Sequence, residues 1–340
     1  MSITNIKIIY IKLIIQIPCY NEEQTLPLVL QELPAQITGI DVIEVQIVDD
    51  GSTDKTIAVA QKMGVDQIVR HIGNKGLGNA FRTGVNHALA QGVDILVNTD
   101  GDNQYPSRYI PALIQPILEQ QADIVVGNRQ TSQIKHFSPI KRFFQWLGTK
   151  VTIILSGEKE VEDAVSGFRA YSREALLELN VTSSFSYVLD TTVQASNKKL
   201  KMVSVPITTN LPTRPSRLFK NMWEHIRKSG IQVLRVYALY RPLRVFLGLG
   251  AILFLTGAIP IIRFLYDYFF VGGGDGMIQS LVIGSVLLSV SFNCFALGII
   301  GDLLGRNRTL IEFTLKEIKK TNLDKTNITS TPKDAIDFHE

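Results

Sequence analysis

The chain has 340 residues, 45% of them apolar, and a formal net charge of +4; that length suits one good-sized core plus a smaller part, and the apolar share is high for a purely soluble protein. Cys19 and Cys294 lie far apart in sequence and outside any metal-spaced cluster, which excludes a disulfide framework and a structural zinc. The apolar excess collects in residues 245–300 and the basic excess beside it, with no zinc finger, aromatic RNA-binding signature or basic recognition helix, so nucleic acid is not an expected partner.

Residues 1–15 are apolar but carry Lys7 and Lys12, lack a small-residue cleavage site and are too short to span a bilayer. They read as a leader running into a first strand at 13–17, not as a signal peptide. A helix over 25–33 follows, then a strand over 42–48 ending in Asp49-Asp50-Gly51-Ser52, and a helix over 54–62 with Asp54 as its cap. A short strand at 67–70 leads to the glycine-rich Gly73-Asn74-Lys75-Gly76-Leu77-Gly78 and a helix over 77–91. Strands at 95–98 and 123–127 flank a helix over 110–119. Short apolar runs alternating with helical lengths predict an α/β domain with a mostly parallel sheet and helices on both faces. Neither a Gly-x-Gly-x-x-Gly fingerprint after the first strand nor a Gly-Lys-Ser/Thr phosphate loop is present.

The strand at 95–98 opens into Thr99-Asp100-Gly101-Asp102-Asn103-Gln104-Tyr105-Pro106. Carboxylates two residues apart at a strand end repel each other unless a cation sits between them. By itself the segment could equally be an acidic turn on a solvated surface. The glycine-rich loop around Lys75, leading into a helix, suits a diphosphate through amides and one ammonium, although a structural turn explains its glycines equally well.

Two stretches, about 246–266 and 278–300, are each long enough to cross roughly 30 Å of hydrocarbon as a helix. The first carries Thr256 and a late Arg263, four residues from Asp267; the second carries no charge. The link through Gly272-Gly273-Gly274-Asp275-Gly276 makes them a hairpin. Arg214, Arg217, Lys220, Arg227, Lys228, Arg235, Arg241 and Arg244 precede it against the single acidic Glu224, and Arg306, Arg308, Lys316, Lys319 and Lys320 follow it. That is a positive-inside pattern with both ends cytoplasmic. Between them, Leu218, Phe219, Met222, Trp223, Ile226, Ile231, Leu234 and Val236 interleave with cations, as in a helix lying in the lipid interface or packed on the domain surface. The expected organisation is a cytoplasmic domain over 1–213, a basic amphipathic segment over 214–244, two transmembrane helices within 245–301, and a partly mobile cytoplasmic tail over 302–340. The protein is thus expected in the cell membrane, multi-pass, in contact with membrane lipids. Gly248, Gly250, Gly257, Gly284, Ser285 and Ser289 would allow close helix contacts, within the hairpin or between copies in a homo-oligomer.

Taken in order, Ile17-Pro18-Cys19-Tyr20-Asn21-Glu22-Glu23, Val48-Asp49-Asp50-Gly51-Ser52-Thr53-Asp54, Asn74-Lys75-Gly76-Leu77-Gly78, Asp100-Gly101-Asp102-Asn103-Gln104-Tyr105-Pro106 and Ser166-Gly167-Phe168-Arg169-Ala170 resemble the consecutive motifs of glycosyltransferase family 2, inverting enzymes of the type A fold. The nearest branch in pattern resembles dolichyl-phosphate mannosyltransferase and bacterial polyprenyl-phosphate hexosyltransferases, some of which also end in a two-span hairpin.

The resemblance implies transfer of a sugar from a nucleoside diphosphate sugar to a polyprenyl or dolichyl phosphate, with Mg²⁺ or Mn²⁺. It implies that Asp102 ligates the ion, with Asp100 near ribose, sugar or metal and Gln104 completing the shell or touching the sugar. Pro18, Tyr20, Glu22, Asp49 and Asp50 fall on the nucleotide side, although Glu22 could instead satisfy amides at a helix start and the aspartates could be turn formers. Arg129, Arg142 and Arg169 would hold the lipid phosphate, since guanidinium forks bind phosphate oxygens in pairs. For Arg142 a solvated helix position, and for Arg169 an ion pair with Glu174 or Asp163, are the alternatives. Asp190 stands where related enzymes keep a base, and reads as a base, a sugar contact or a partner of an arginine. The donor expected is UDP-glucose, with GDP-mannose as the alternative. A non-catalytic scaffold of a membrane glycosylation complex is the reading from a different class.

Overall fold

The computed structural model describes residues 10–130, 163–183, 187–211, 230–231, 238–271 and 278–329. Arg142, most of the basic segment 214–244 and the glycine link 272–276 lie outside the described residues. The chain falls into two compact units, Met1–Lys220 with Leu315–Glu340, and Asn221–Thr314.

The first unit is built on a seven-stranded sheet in the order β3-β2-β1-β4-β6-β5-β7. Its strands are β1 (Lys12–Cys19), β2 (Val42–Asp49), β3 (Gln67–Arg70), β4 (Ile95–Asn98), β5 (Ile124–Asn128), β6 (Arg169–Ser172) and β7 (Met202–Pro206). All pairings are parallel except those of β6, which runs antiparallel to both β4 and β5. The continuous apolar runs of β1, β4 and β5 fit strands buried on both faces. The helices of this unit are α1 (Leu26–Gln31), α2 (Thr56–Lys62), α3 (Leu77–Ala90), α4 (Ile110–Leu118), α5 (Arg173–Glu178) and α6 (Tyr187–Asn197). One core, around Ile14, Phe81, Leu96 and Tyr171, lies on the α3 side of the sheet; a second, around Leu13, Ile47, Ile110 and Phe168, lies on the other. The α/β architecture expected from the alternating runs is the one found. β6, β7, α5 and α6 are not among the elements expected from the sequence.

Since every strand but β6 points the same way, the loops after β1, β2, β3, β4 and β5 open at one sheet edge. The turn that enters antiparallel β6 reaches that same edge. In such sheets this carboxyl edge is where ligands collect.

The second unit contains α7 (Pro242–Tyr266), extended by a π-helical stretch Asp267–Val271, and most of α8 (Ile278–Thr329). Pro242 sits in the first turn of α7, where its missing N–H costs no helical bond. Both helices are long and apolar enough to cross a membrane, and most of the apolar window of each is exposed, unlike a core pair of a soluble protein. A β-carbon on Gly257 would lie 2.8 Å from Leu287, and one on Gly284 2.5 Å from Ile261, so these glycines let α7 and α8 approach closely. Ser291 adds a hydrogen bond to the Gly250 carbonyl, 2.8 Å. Gly250, Gly257 and Gly284 are thereby used within the hairpin, whereas Ser285 and Ser289 face outward. α8 does not stop near residue 300; it continues to Thr329. Its end, from Leu315 on, belongs to the first unit, where Lys316 pairs with Glu178, Lys319 donates to Asn180 and Leu323 packs on the core.

Candidate active site

The first loop of the edge follows β1. Pro18 is buried, Tyr20 is 38% exposed, and Asn21 takes a left-handed φ of 58° that Asn tolerates. Glu22 is buried; its carboxylate accepts from Thr25 Oγ1 at 2.7 Å, at the start of α1, so part of its capacity is spent locally. It nevertheless lies on the cleft side of the fold, because a β-carbon on Gly101 of the acidic loop would lie 3.3 Å from Glu22 Cγ and 3.1 Å from Cys19 Sγ. Burial, with Glu22, Asp49 and Asp100 nearby, pushes the Cys19 thiol well up, so it is neutral and inert.

The second loop departs from expectation. Asp49 is fully buried, its Oδ1 accepting the Ser52 N–H at 3.1 Å and its Oδ2 facing Arg70 at 3.3 Å. It closes the turn, and its Oδ2 makes no hydrogen bond among the described residues. Asp50, 5% exposed, accepts from the amides of Lys75 and Gly76 at 2.9 Å each, and its Oδ1 bonds His71 Nδ1 at 2.8 Å. The amides expected to meet a diphosphate are therefore held by Asp50, which clamps the glycine loop to β2 and leaves the exposed Lys75 at its crest. Gly51 is required here: its φ is +79°, and a β-carbon would lie 2.6 Å from the Gly73 backbone. His71, whose Nε2 bonds Thr83 at 3.0 Å, was not visible as a site residue because it follows a short strand with no motif around it. Asp54 accepts from the Thr56 amide at 2.9 Å, although the helix begins at Thr56 with Lys55, not Asp54, in the cap position.

The acidic loop follows β4. Asp100, Asp102 and Gln104 are all half-buried; Asp102 Oδ1 accepts the Gln104 N–H at 3.1 Å in an Asx turn, and Asn103 takes φ 58°. The Gln104 carbonyl accepts from Asn210 N at 3.0 Å, which ties the loop to the segment after β7. Asn103 Oδ1 is buried with no hydrogen-bond partner among the described residues. Among those residues no group of three or more His, Cys, Asp or Glu could cage an ion. Two half-exposed carboxylates plus an orphaned amide oxygen fit a hard divalent cation whose remaining ligands come from elsewhere, such as a diphosphate.

The acceptor side is rearranged further. Arg129, just past β5, is 8% exposed and grips Asp163 with both Nε (2.7 Å) and Nη2 (2.9 Å), while its own amide donates to Asp163 at 3.1 Å. Burial works against its charge, but Tyr105, the bidentate Asp163 carboxylate and Asp100 together more than offset that, and its pKa lies above the ordinary arginine value. Arg169 departs from expectation: it is fully buried, and its guanidinium donates to Ser166 O, Ala164 O, Thr191 Oγ1 and Thr192 Oγ1, with no ion pair to Asp163 or Glu174 among the described residues. Asp190 does so too. It is 2% exposed on α6, accepting from Thr182 N at 2.9 Å and Gln194 Nε2 at 2.9 Å, so it anchors the approach to α6 and pairs with no arginine among the described residues. Arg142 lies outside the described residues. Tyr105 stacks on Phe168 and its hydroxyl accepts the Gly167 N–H at 3.4 Å; burial pushes its pKa up to about 12.

A mixed seven-stranded sheet with paired carboxylates at its carboxyl edge is the α/β architecture expected of a type A fold. Comparison with known proteins agrees. The Glycosyl transferase family 2 profile matches residues 14–179. The chain is 31% identical over 214 residues to the UDP-N-acetylglucosamine–dolichyl-phosphate N-acetylglucosaminyltransferase of Methanococcus voltae, covering 57% of this chain and 83% of that one. It is 28% identical over 202 residues to the undecaprenyl-phosphate mannosyltransferase of Micrococcus luteus, covering 56% and 81%. Among solved structures, glucosyl-3-phosphoglycerate synthase from Mycobacterium tuberculosis, crystallised with Mn²⁺, UDP and phosphoglyceric acid, is similar with a TM-score of 0.52 and 20% identity, covering 67% of this chain and 77% of that one. The chain belongs to glycosyltransferase family 2.

Proposed function

We propose that the protein transfers a hexose, with inversion, from a nucleoside diphosphate sugar to the phosphate of a polyprenol or dolichol. One observation carries this reading. A family 2 sheet edge shares its chain with two apolar helices whose surfaces are largely exposed, as suits an acceptor whose long tail stays in lipid. The names of the Methanococcus and Micrococcus relatives support it.

In the reaction an oxygen of the lipid phosphate attacks the anomeric carbon, the new C–O bond forming as the bond to the nucleoside diphosphate breaks and its electron pair leaves with the diphosphate. No general base is required, because a phosphate monoester with a second pKa of about 6 is already ionised near neutrality. That fits an Asp190 whose oxygens already accept from Thr182 N and Gln194 Nε2. Pro18, Tyr20, Glu22 and Lys75 form the nucleotide wall, with Asp50 holding Lys75 in place. Arg129, fixed by Asp163, keeps Nη1 for the acceptor phosphate, and Arg142 is the further candidate. Mg²⁺ or Mn²⁺, held by Asp100, Asp102 and Gln104, would neutralise charge growing on the leaving diphosphate. Positioning and fixed charge supply the rate.

UDP-glucose is the donor inferred from the sequence, and GDP-mannose the second reading, which the mannosyltransferase relative favours. In the proposed topology both helices cross the membrane and the catalytic domain faces the cytoplasm. Full-length protein incubated with UDP-glucose, UDP-N-acetylglucosamine or GDP-mannose, Mn²⁺ and undecaprenyl or dolichyl phosphate should yield a lipid-linked sugar detectable by mass. Folded protein that produces none with any pair would leave the scaffold reading standing.

A further inference from the structure

Beneath the acidic loop, on the α3 side of the sheet, a line of polar side chains crosses the core. Gln46, Gln16 and Asn98 are register neighbours on β2, β1 and β4, and all are fully buried. Gln46 Nε2 donates to Gln16 Oε1 at 3.1 Å, Gln16 Nε2 to Asn98 Oδ1 at 3.0 Å, and Asn98 Nδ2 to the Tyr187 hydroxyl at 2.8 Å. Tyr187 in turn donates to the Gly167 carbonyl at 2.9 Å, which also accepts a longer bond from Asn98 Nδ2 at 3.3 Å. At the far end His87 Nδ1 lies 2.8 Å from Gln46 Oε1; an amide oxygen only accepts, so Nδ1 carries the proton. Every donor in the line points from His87 toward Gly167, and bonds aligned in this way strengthen one another. α3 comes close over it at Gly84, where a β-carbon would lie 2.2 Å from Gln16 Oε1.

Burying this many amides in a core is costly unless each is satisfied, and an apolar core would be simpler. What the line reaches explains its presence. Gly167 lies between Tyr187 and Asp100: a β-carbon there would be 3.1 Å from the Tyr187 hydroxyl and 3.5 Å from both Asp100 carboxylate oxygens. The Tyr187 ring is itself fixed, stacked on Phe81 with centroids 4.0 Å apart and planes 4° from parallel.

We propose that Tyr187, oriented by Asn98 and the glutamine ladder, is a positioning residue that sets the Ser166–Gly167 turn as the seat of the Asp100 carboxylate. This deepens the reading of Asp100 as a donor-side residue and rests on it. Tyr187 acts through Gly167 and touches no substrate. Other members of the ladder keep the hydroxyl in one orientation.

The test uses full-length protein in nanodiscs and the variants Tyr187→Phe, Asp100→Asn and the double variant. Phenylalanine keeps the stack on Phe81 and removes only the hydroxyl. Tyr187→Phe should lower kcat about tenfold, as expected for losing one well-placed buried hydrogen bond. It should weaken Mn²⁺-dependent binding of UDP or GDP, read by calorimetry, to a similar extent, while KM for lipid phosphate is unchanged. In the Asp100→Asn background the same substitution should have no further effect. Wild-type-like binding and kcat in Tyr187→Phe would overturn the proposal. So would equal losses with and without the Asp100 carboxylate, which together with a fallen unfolding temperature would make Tyr187 plain scaffolding. Wild-type protein that binds nucleotide with Mn²⁺ but modifies no lipid phosphate would sink the acceptor reading and leave the binding arm to decide this one. Protein that binds no nucleotide at all would sink both.

Discussion

Two acidic motifs end neighbouring parts of the same sheet, and the fold uses them in opposite ways. Asp49 and Asp50 follow β2 and are almost wholly buried: Asp50 accepts from the Lys75 and Gly76 amides and meets His71, while Asp49 Oδ1 accepts the Ser52 amide and its Oδ2 faces Arg70 with no hydrogen bond among the described residues. Asp100 and Asp102 follow β4 and remain half-exposed beside the orphaned Asn103 oxygen. A buried carboxylate that accepts N–H groups of its own chain builds a loop; one partly exposed at a sheet edge can be reached by a cation or a ligand. The same division runs through the arginines. Arg169 is consumed by backbone carbonyls and threonine hydroxyls, whereas Arg129 gives one edge to Asp163 and keeps another.

Substitutions that spare charge geometry in one motif and disturb it in the other separate the two roles. Asp102→Asn should lower kcat by roughly a hundredfold or more, with nucleotide binding losing its dependence on Mn²⁺ and the unfolding temperature unchanged. Undiminished turnover would remove Asp102 from the metal set. Asp163→Ala should be the most destabilising single change of these, by about 3–5 kcal/mol, since it strands a buried guanidinium. Asp163→Asn, which leaves one acceptor oxygen, should lose less stability and raise KM for lipid phosphate more than for donor. Equal effects on both substrates would place Arg129 away from the acceptor. Asp50→Asn should cost about 1–3 kcal/mol, because an amide nitrogen would then face the Lys75 or Gly76 N–H. It should raise donor KM through the displaced Lys75 while leaving Mn²⁺ dependence intact. A loss of metal dependence in Asp50→Asn would erase the distinction between the motifs.

Motif spacing made the sheet edge legible because each motif closes a buried strand, and strands carry strong apolar runs. It could not tell which motif carboxylates would be consumed by the backbone. That depends on where Lys75 and Gly76 come to rest, 25 and 26 residues after Asp50. Asp163 escaped assignment to Arg129 for a similar reason: the pair spans 34 residues and joins β5 to the turn before an antiparallel strand that periodicity did not reveal. The glutamine ladder was hidden because Gln16 and Gln46 sit singly inside apolar strands, and only strand register brings them side by side. In α8 the charges after residue 300 read as the end of a span, while their helical spacing carries the helix on to Thr329.

The smallest effect concerns the far end of that ladder and tests whether a group away from the cleft titrates on the builders' side alone. Burial lowers the His87 pKa below its ordinary value of 6.5, with Glu44 opposing the shift. The unfolded chain therefore takes up the proton first as pH falls. Stability is fully present above about pH 6.5, declines as pH drops below it, and stops declining beneath the lowered folded value. Protonation adds a proton at Nε2 and leaves the Nδ1–H bond to Gln46 intact, so the loss comes from desolvation and the ladder itself holds. Unfolding temperatures measured from pH 7.5 to 5.5 should fall modestly more in wild type than in His87→Gln, while Mn²⁺-dependent nucleotide binding keeps the same pH profile in both. Parallel unfolding curves would show that His87 carries no such penalty, and a shifted binding profile would mean that charge at His87 is felt at Asp100 through the ladder.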